Sequence, residues 1–274
     1  MRPIAFDSVY ECIRVLVLKP FKALSLPDEI NTPKLQTEIS QIDQAEQHQE
    51  AMLQYIKTLS PRKEFVIVIL VAFGYSILGS LSTLFVPASG AHITESHLRF
   101  LLVYELAITT TLVVFLWIRG WNTAQLGLLP TVRDTGIGVG LTIAAYFAYA
   151  MVWLFYINVA PEIKSLSKAL VQPNLHLPTV LAASTLNPIF EELFVCGYVI
   201  SALKKTRTIS FAVNVSVALR LTYHLYQGPI SVISIVPLGL IFGQWFARTG
   251  RLWPVVIAHA IFDFVGLWPY IVVQ

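Results

Sequence analysis

FVIVILVAFGYSILGSLSTLFV, Phe65 to Val86, carries no charged side chain. The apolar core of a bilayer takes about 20 helical residues to cross, and this stretch reads as one such crossing. Six further runs follow: Leu98 to Ile118, Thr135 to Ile157, Leu177 to Leu203, Ile209 to Gln227, Ile230 to Ala247 and Trp253 to Val273. In lipid every backbone polar group must pair internally, which leaves helices and closed barrels, and runs of this length are helical. The sequence predicts an all-α fold, a polytopic transmembrane helix bundle of about seven spans. The bundle occupies residues 65–274, behind a polar N-terminal helical extension over residues 1–64.

Composition separates the same two parts. Of 274 residues, 55% are hydrophobic and 13% charged, against roughly a quarter charged in soluble domains. Nine of the 16 acidic residues precede Phe65, so the rest of the chain is poor in acid. A net charge of +3 is too small an excess to suggest a nucleic-acid partner. Cys12 and Cys196 have no cysteine or histidine at metal-ligand spacing, and no disulfide framework is implied. Met1, Arg2 and Pro3 do not lead into an uninterrupted apolar run, and no cleavable signal is expected.

Within the extension, Val9 to Leu24 mixes apolar residues with Arg14, Lys19 and Lys22. It suits either an anionic membrane surface or packing on the protein body. Gln36 to Lys57 is a polar helical stretch rich in Gln and Glu, stopped by Ser60 and Pro61.

Lys and Arg favour cytoplasmic loops. With seven spans, Arg62, Lys63, Arg119, Arg133, Lys204, Lys205, Arg207, Arg248 and Arg251 fall on one side. Lys164 and Lys168 fall on the other, with Arg99 at its edge. The expected orientation is N-terminus in the cytoplasm and C-terminus outside. Trp117, Trp121, Trp153, Trp245, Trp253 and Trp268 lie near span ends, where amphipathic rings settle.

Ionisable side chains inside a span are expensive and mark function by default. The fourth span carries Glu191 and Glu192, the fifth Arg220 and His224, the seventh His259 and Asp263. Residues four apart on a helix share a face, whereas neighbours diverge by about 100°. His259 therefore lies over Asp263 and Arg220 over His224. Glu191 and Glu192 must find different partners. A single membrane histidine more often bonds another helix than it catalyses, but six such residues on three spans point to a site. Glu105 in the second span, and His92, His97 and His176, read as packing or loop residues.

The pattern resembles the CAAX protease and bacteriocin-processing (CPBP) family of intramembrane endopeptidases, which includes Ras-converting CAAX endopeptidases. Its E-E-x-x-x-R motif corresponds to Glu191-Glu192-Leu193-Phe194-Val195-Cys196. Its F-x-x-x-H motif corresponds to Arg220 through His224, and H-x-x-x-N/D to His259 through Asp263. The resemblance extends over roughly Trp121 to Val273. Two positions depart from it: Cys196 stands where the motif has arginine, and Arg220 where it has phenylalanine. The sequence-based expectation is that Arg220 crosses the helix interface to Glu192 and replaces the missing arginine.

The resemblance implies peptide hydrolysis in which Glu191 is the general base and His224 orients the water. Glu192, His259 and Asp263 complete the catalytic group, with Arg220 and Cys196 supporting it. Asp263, if ionised, cannot donate a hydrogen bond as the motif's asparagine can. Two histidines and two carboxylates also suit zinc or a similar divalent ion, although the H-E-x-x-H spacing is absent; the metal question stays open. The implied partner is a membrane-associated protein or peptide in the bilayer, and the expected location is a bacterial inner membrane. A catalytically silent regulator and a proton-coupled transporter are the rival readings. Helix counting puts Glu191, His224 and His259 at unequal depths, and Asn187-Pro188 suggests that the fourth span is two pieces.

Overall fold

The structure, a computed structural model, describes residues 33–85, 92–159, 170–228 and 230–272. The stretch Val9 to Leu24, Cys12, Lys164 and Lys168 lie outside the described residues. The chain divides into two compact units, Met1–Leu59 and Ser60–Gln274. In the first, one polar helix, α1 (Pro33–Thr58), carries Lys57 in its last turn, a cation placed well for a helix C-terminus.

Among its described residues the second unit is helical apart from loops, one two-residue parallel pairing, β1 (His92–Ile93) with β2 (Leu170–Val171), and an isolated parallel bridge between Leu175 and Ile271. Its helices are α2 (Pro61–Ser82), α3 (Glu95–Ile118), α4 (Val132–Val159), α5 (Leu177–Glu192), α6 (Val199–Lys204), α7 (Ile209–Tyr223), α8 (Ile230–Thr249) and α9 (Trp253–Leu267). Hydroxyl caps start several of them. Ser60 accepts from the Lys63 amide ahead of α2, Thr94 from His97 ahead of α3, and Thr208 from Phe211 ahead of α7.

Among the described residues, four stretches are long and apolar enough to cross a membrane: Pro61–Ser82, Glu95–Ile118, Val132–Val159 and Leu177–Lys204. In the first three only 17–22% of the most apolar window is buried in the protein, against 67% in Leu177–Lys204. The acid-bearing helix is thus the centre of the bundle, and the other three present most of their surface outward. The fifth and seventh predicted spans prove shorter than expected. Helix α7 stops at Tyr223, followed by a 3-10 turn at Leu225–Gln227. Helix α9 stops at Leu267, where Trp268–Tyr270 forms another such turn around Pro269.

The expected break at Asn187-Pro188 is absent. Pro188 lies inside α5, and the irregularity comes just after the glutamates, where Leu193–Tyr198 forms a π-helical segment joining α5 to α6. Such widened turns are frequent at functional sites. Its six residues are buried, and the Ser216 hydroxyl on α7 donates to the Val195 carbonyl at 2.9 Å.

Helix ends gather in two groups. At one, buried Glu64 accepts from Arg119 Nε (2.6 Å), Trp121 Nε1 (2.8 Å) and the Tyr198 hydroxyl (3.1 Å). Lys205 lies over the Trp121 ring, Lys204 donates to the Ala247 carbonyl, and Arg251 pairs with Asp134 at 2.6 Å. At the other, Glu95 accepts from Thr179 Oγ1 (2.5 Å) and the His176 amide (3.1 Å), and the Leu175 amide donates to the Tyr270 carbonyl.

Close approaches depend on small residues. A Cβ on Gly243 or Gly239 of α8 would meet Val213 at 3.0 Å or Val217 at 3.1 Å on α7, and one on Gly138 of α4 would meet Ile257 of α9 at 2.7 Å.

Candidate active site

Glu191 and Glu192 end α5 side by side, and the helix turns them to different partners. Glu192 is fully buried (0% exposed). Its Oε2 accepts from Arg220 NH2 at 2.7 Å, and its Oε1 lies 2.6 Å from Nδ1 of His259. Glu191 accepts through Oε2 from the Tyr223 hydroxyl at 2.7 Å and from Arg220 NH1 at 3.5 Å, and through Oε1 from Asn187 Nδ2 at 3.4 Å. Three helices, α5, α7 and α9, thus converge on two adjacent carboxylates.

Arg220 is the cation that reaches both glutamates. It is 1% exposed and contacts both glutamates, with Cys196 Sγ 4.0 Å from its NH2. A lone buried carboxylate costs several kcal/mol, and this guanidinium faces two. The buried Cys196 thiol bears no charge that would compete for them.

The two histidines are held differently. His224 follows α7, with its Nδ1 2.9 Å from the Arg220 carbonyl. A carbonyl only accepts, so Nδ1 carries the hydrogen, and Nε2 of the neutral ring keeps a free lone pair. His259 is 6% exposed and sits between two acids, Glu192 at Nδ1 and Asp263 Oδ1 at 3.5 Å from Nε2. An imidazolium is the form that donates to both. Asp263 is less enclosed than the glutamates, its side chain 28% exposed.

The unequal depths resolve in the loop before α9. Arg220 lies about 17 Å into α7 and Glu192 about 18 Å from Lys204, whereas His259 is only about 9 Å into its helix at 1.5 Å per residue. Helix α9 starts deeper because Leu252 is fully buried, its amide donating to the Gly127 carbonyl at 3.0 Å.

Three contributors lie outside the site residues read from sequence: Tyr223; Asn187, read there as a helix break; and Glu105, read there as a packing or loop residue. Asn187 is four residues before Glu191 and so on its face, which the sequence held in plain view. Glu105 Oε1 accepts from Asn187 Nδ2 at 2.7 Å, so the isolated acid of α3 reaches the site. His97 and His176 are exposed at the unit's other end, where His176 Nδ1 lies 3.2 Å from Glu95 Oε1, and His92 contributes backbone to β1.

Among the described residues no three His, Cys, Asp or Glu side chains converge as metal ligands. The oxygens that would bind an ion accept from arginine, tyrosine and amide donors instead. The arrangement does not fit a metal centre.

Fold and site define a polytopic helical membrane protein whose central helix carries two buried glutamates neutralised from neighbouring helices. Residues 173–265 match the family model described as type II CAAX prenyl endopeptidase Rce1-like, and over this stretch the chain is similar to the CAAX proteases. The match contains Glu191, Glu192, Cys196, Arg220, His224, His259 and Asp263, and is shorter than the resemblance read from Trp121 onward. No curated protein and no solved structure matches the chain.

Proposed function

We propose that the protein is an intramembrane endopeptidase that hydrolyses a peptide bond of a membrane-associated protein or peptide, of CAAX type or related. The observation that carries this reading is Glu191, a buried carboxylate fixed by Tyr223, Arg220 and Asn187, within the part of the chain that matches a protease family.

Glu191 takes a proton from water as the hydroxide adds to the peptide carbonyl carbon, and the proton passes on to the leaving amine. The free Nε2 of His224 accepts from the same water and orients it. Charge developing on the carbonyl oxygen is met by His259, whose Nε2–H lies at a long 3.5 Å from Asp263 and so has a hydrogen to redirect. Asp263 then orients the ring and does not donate to the oxyanion. Arg220 and Glu192 hold this framework together, Arg220 standing in for the arginine that Cys196 replaces.

Seven passages with the basic loops in the cytoplasm place the start of α2 inside and the end of α9 outside, in a bacterial inner membrane. The test is to compare new peptide termini in membranes of cells making the wild-type protein or Glu191→Gln at equal expression. Termini that disappear in the variant identify a protease and its substrate. Identical termini from two folded proteins reject hydrolysis and favour a silent, binding member of the family.

A further inference from the structure

Glu105 is a costly residue with no role in the chemistry above. It stands about 15 Å into α3 at 1.5 Å per residue, in a stretch apolar enough to span, and is only 2% exposed. It enters none of the ion pairs among the described residues. Its Oε2 is buried without a hydrogen-bond partner, and Oε1 has one donor, Asn187 Nδ2. An acid so placed is a functional-site hypothesis by default. It lies outside the residues that match the family.

Asn187 has two amide hydrogens on one nitrogen, in one plane. Nδ2 lies 2.7 Å from Glu105 Oε1 and 3.4 Å from Glu191 Oε1. The shorter bond sets the rotation of the amide, and a planar amide fixed through one hydrogen is fixed through the other. The neighbouring carboxyl oxygens also decide which way the amide faces, because its own oxygen has nothing to donate to them. Between two carboxyl groups the amide is a neutral bridge that donates to both.

We propose that Glu105 is a positioning residue for Glu191, acting through Asn187. By holding the amide it fixes Oε1 of Glu191, while Tyr223 and Arg220 hold Oε2. Both oxygens of the base are then set from different helices, α3 by way of α5 on one side and α7 on the other. The inference rests on the reading of Glu191 as the base, but the coupling from Glu105 to Glu191 can be measured without any cleavage.

The experiment uses full-length protein in lipid nanodiscs, labelled with carbon-13 glutamate. Infrared carboxyl bands are assigned by their loss in Glu191→Gln and Glu105→Gln. In Glu105→Leu the Glu191 band moves as it does in Asn187→Leu. An unmoved Glu191 band in Glu105→Leu overturns the proposal. Leucine suits an apolar span, so this variant inserts and folds.

Cleavage of a quenched farnesylated CAAX-type peptide adds the kinetic readout. Glu105→Leu lowers kcat by about 10- to 100-fold with KM unchanged, and Glu105→Leu/Asn187→Leu falls no further than Asn187→Leu. Glu105→Gln, which keeps the accepting oxygen, recovers most of the loss. Additive losses, or a change confined to KM, overturn the proposal. If wild type and Glu191→Gln leave the peptide equally intact, the protease reading fails for this substrate, and the band shift still decides the coupling.

Discussion

Arg220 is enclosed by the groups it neutralises, 2.7 Å from Glu192 and 3.5 Å from Glu191. Removing one member of such a buried set leaves the others uncompensated, at a cost of about 3–5 kcal/mol. Arg220→Phe, which restores the family's aromatic residue, is therefore expected to lower Tm in detergent and abolish cleavage. Adding Cys196→Arg returns a guanidinium from the π-helical segment, close to the place Arg220 NH2 now occupies, 4.0 Å from Sγ. The double variant is expected to recover much of both properties. Failure to improve on the single variant would show that the two positions do not exchange one cation. This pairing was legible in sequence because a motif lost a charge at one place and gained it at another. Tyr223, Asn187 and Glu105 were not, because their roles depend on how nearly uniformly apolar helices are rotated against each other. Such helices show no strong polar and apolar sides from which rotation can be read.

At the scale of elements, the start of α9 decides whether His259 reaches Glu192. That start is sunk by a turn in which Gly127 has φ +73°. An added Cβ there would lie 2.5 Å from the Gly250 carbonyl oxygen and 2.7 Å from the Phe246 ring. Gly120 has a similar φ, +86°, but open space where its Cβ would go. Gly120→Ala therefore carries only left-handed backbone strain, about 1–2 kcal/mol. Gly127→Ala adds an overpacking cost of about 1–3 kcal/mol. The expected result is a clearly larger fall in Tm for Gly127→Ala, with a loss of cleavage beyond that of Gly120→Ala as His259 shifts. Equal falls would mean that the turn does not set the depth of α9. Sequence located this helix from Trp253 onward but misjudged its end and could not give its depth. Apolar run length reports neither the 3-10 turn at Trp268–Tyr270 nor the burial of Leu252.

For the whole molecule, charge and contact agree on which helix ends belong together. The basic residues counted on one side by sequence include Arg119, Lys204, Lys205 and Arg251, and these meet Glu64, the Ala247 carbonyl, Trp121 and Asp134 at one end of the unit. The other end joins Glu95 to His176 and Leu175 to Tyr270. Helices α7 and α9 have 15 residues each, about 22 Å at 1.5 Å per residue, against roughly 30 Å of hydrocarbon. Both carry site residues, so the lipid around the site is expected to thin or admit water there. Single cysteines tested in a Cys12→Ser/Cys196→Ser background resolve the arrangement. Replacements at the exposed Lys63, Arg133, Arg207 and Arg248 are expected to react with a membrane-impermeant maleimide only after inverted vesicles are made. One at the exposed Ser96 is expected to react in intact cells. If Arg207 and Arg248 replacements reacted from opposite sides, only one of α7 and α8 would cross, and the alternation would break between them. Agreement of all four would leave Glu191, about 20 Å from Lys204 by helix rise, to be reached from the cytoplasm through the thinned lipid beside α7 and α9.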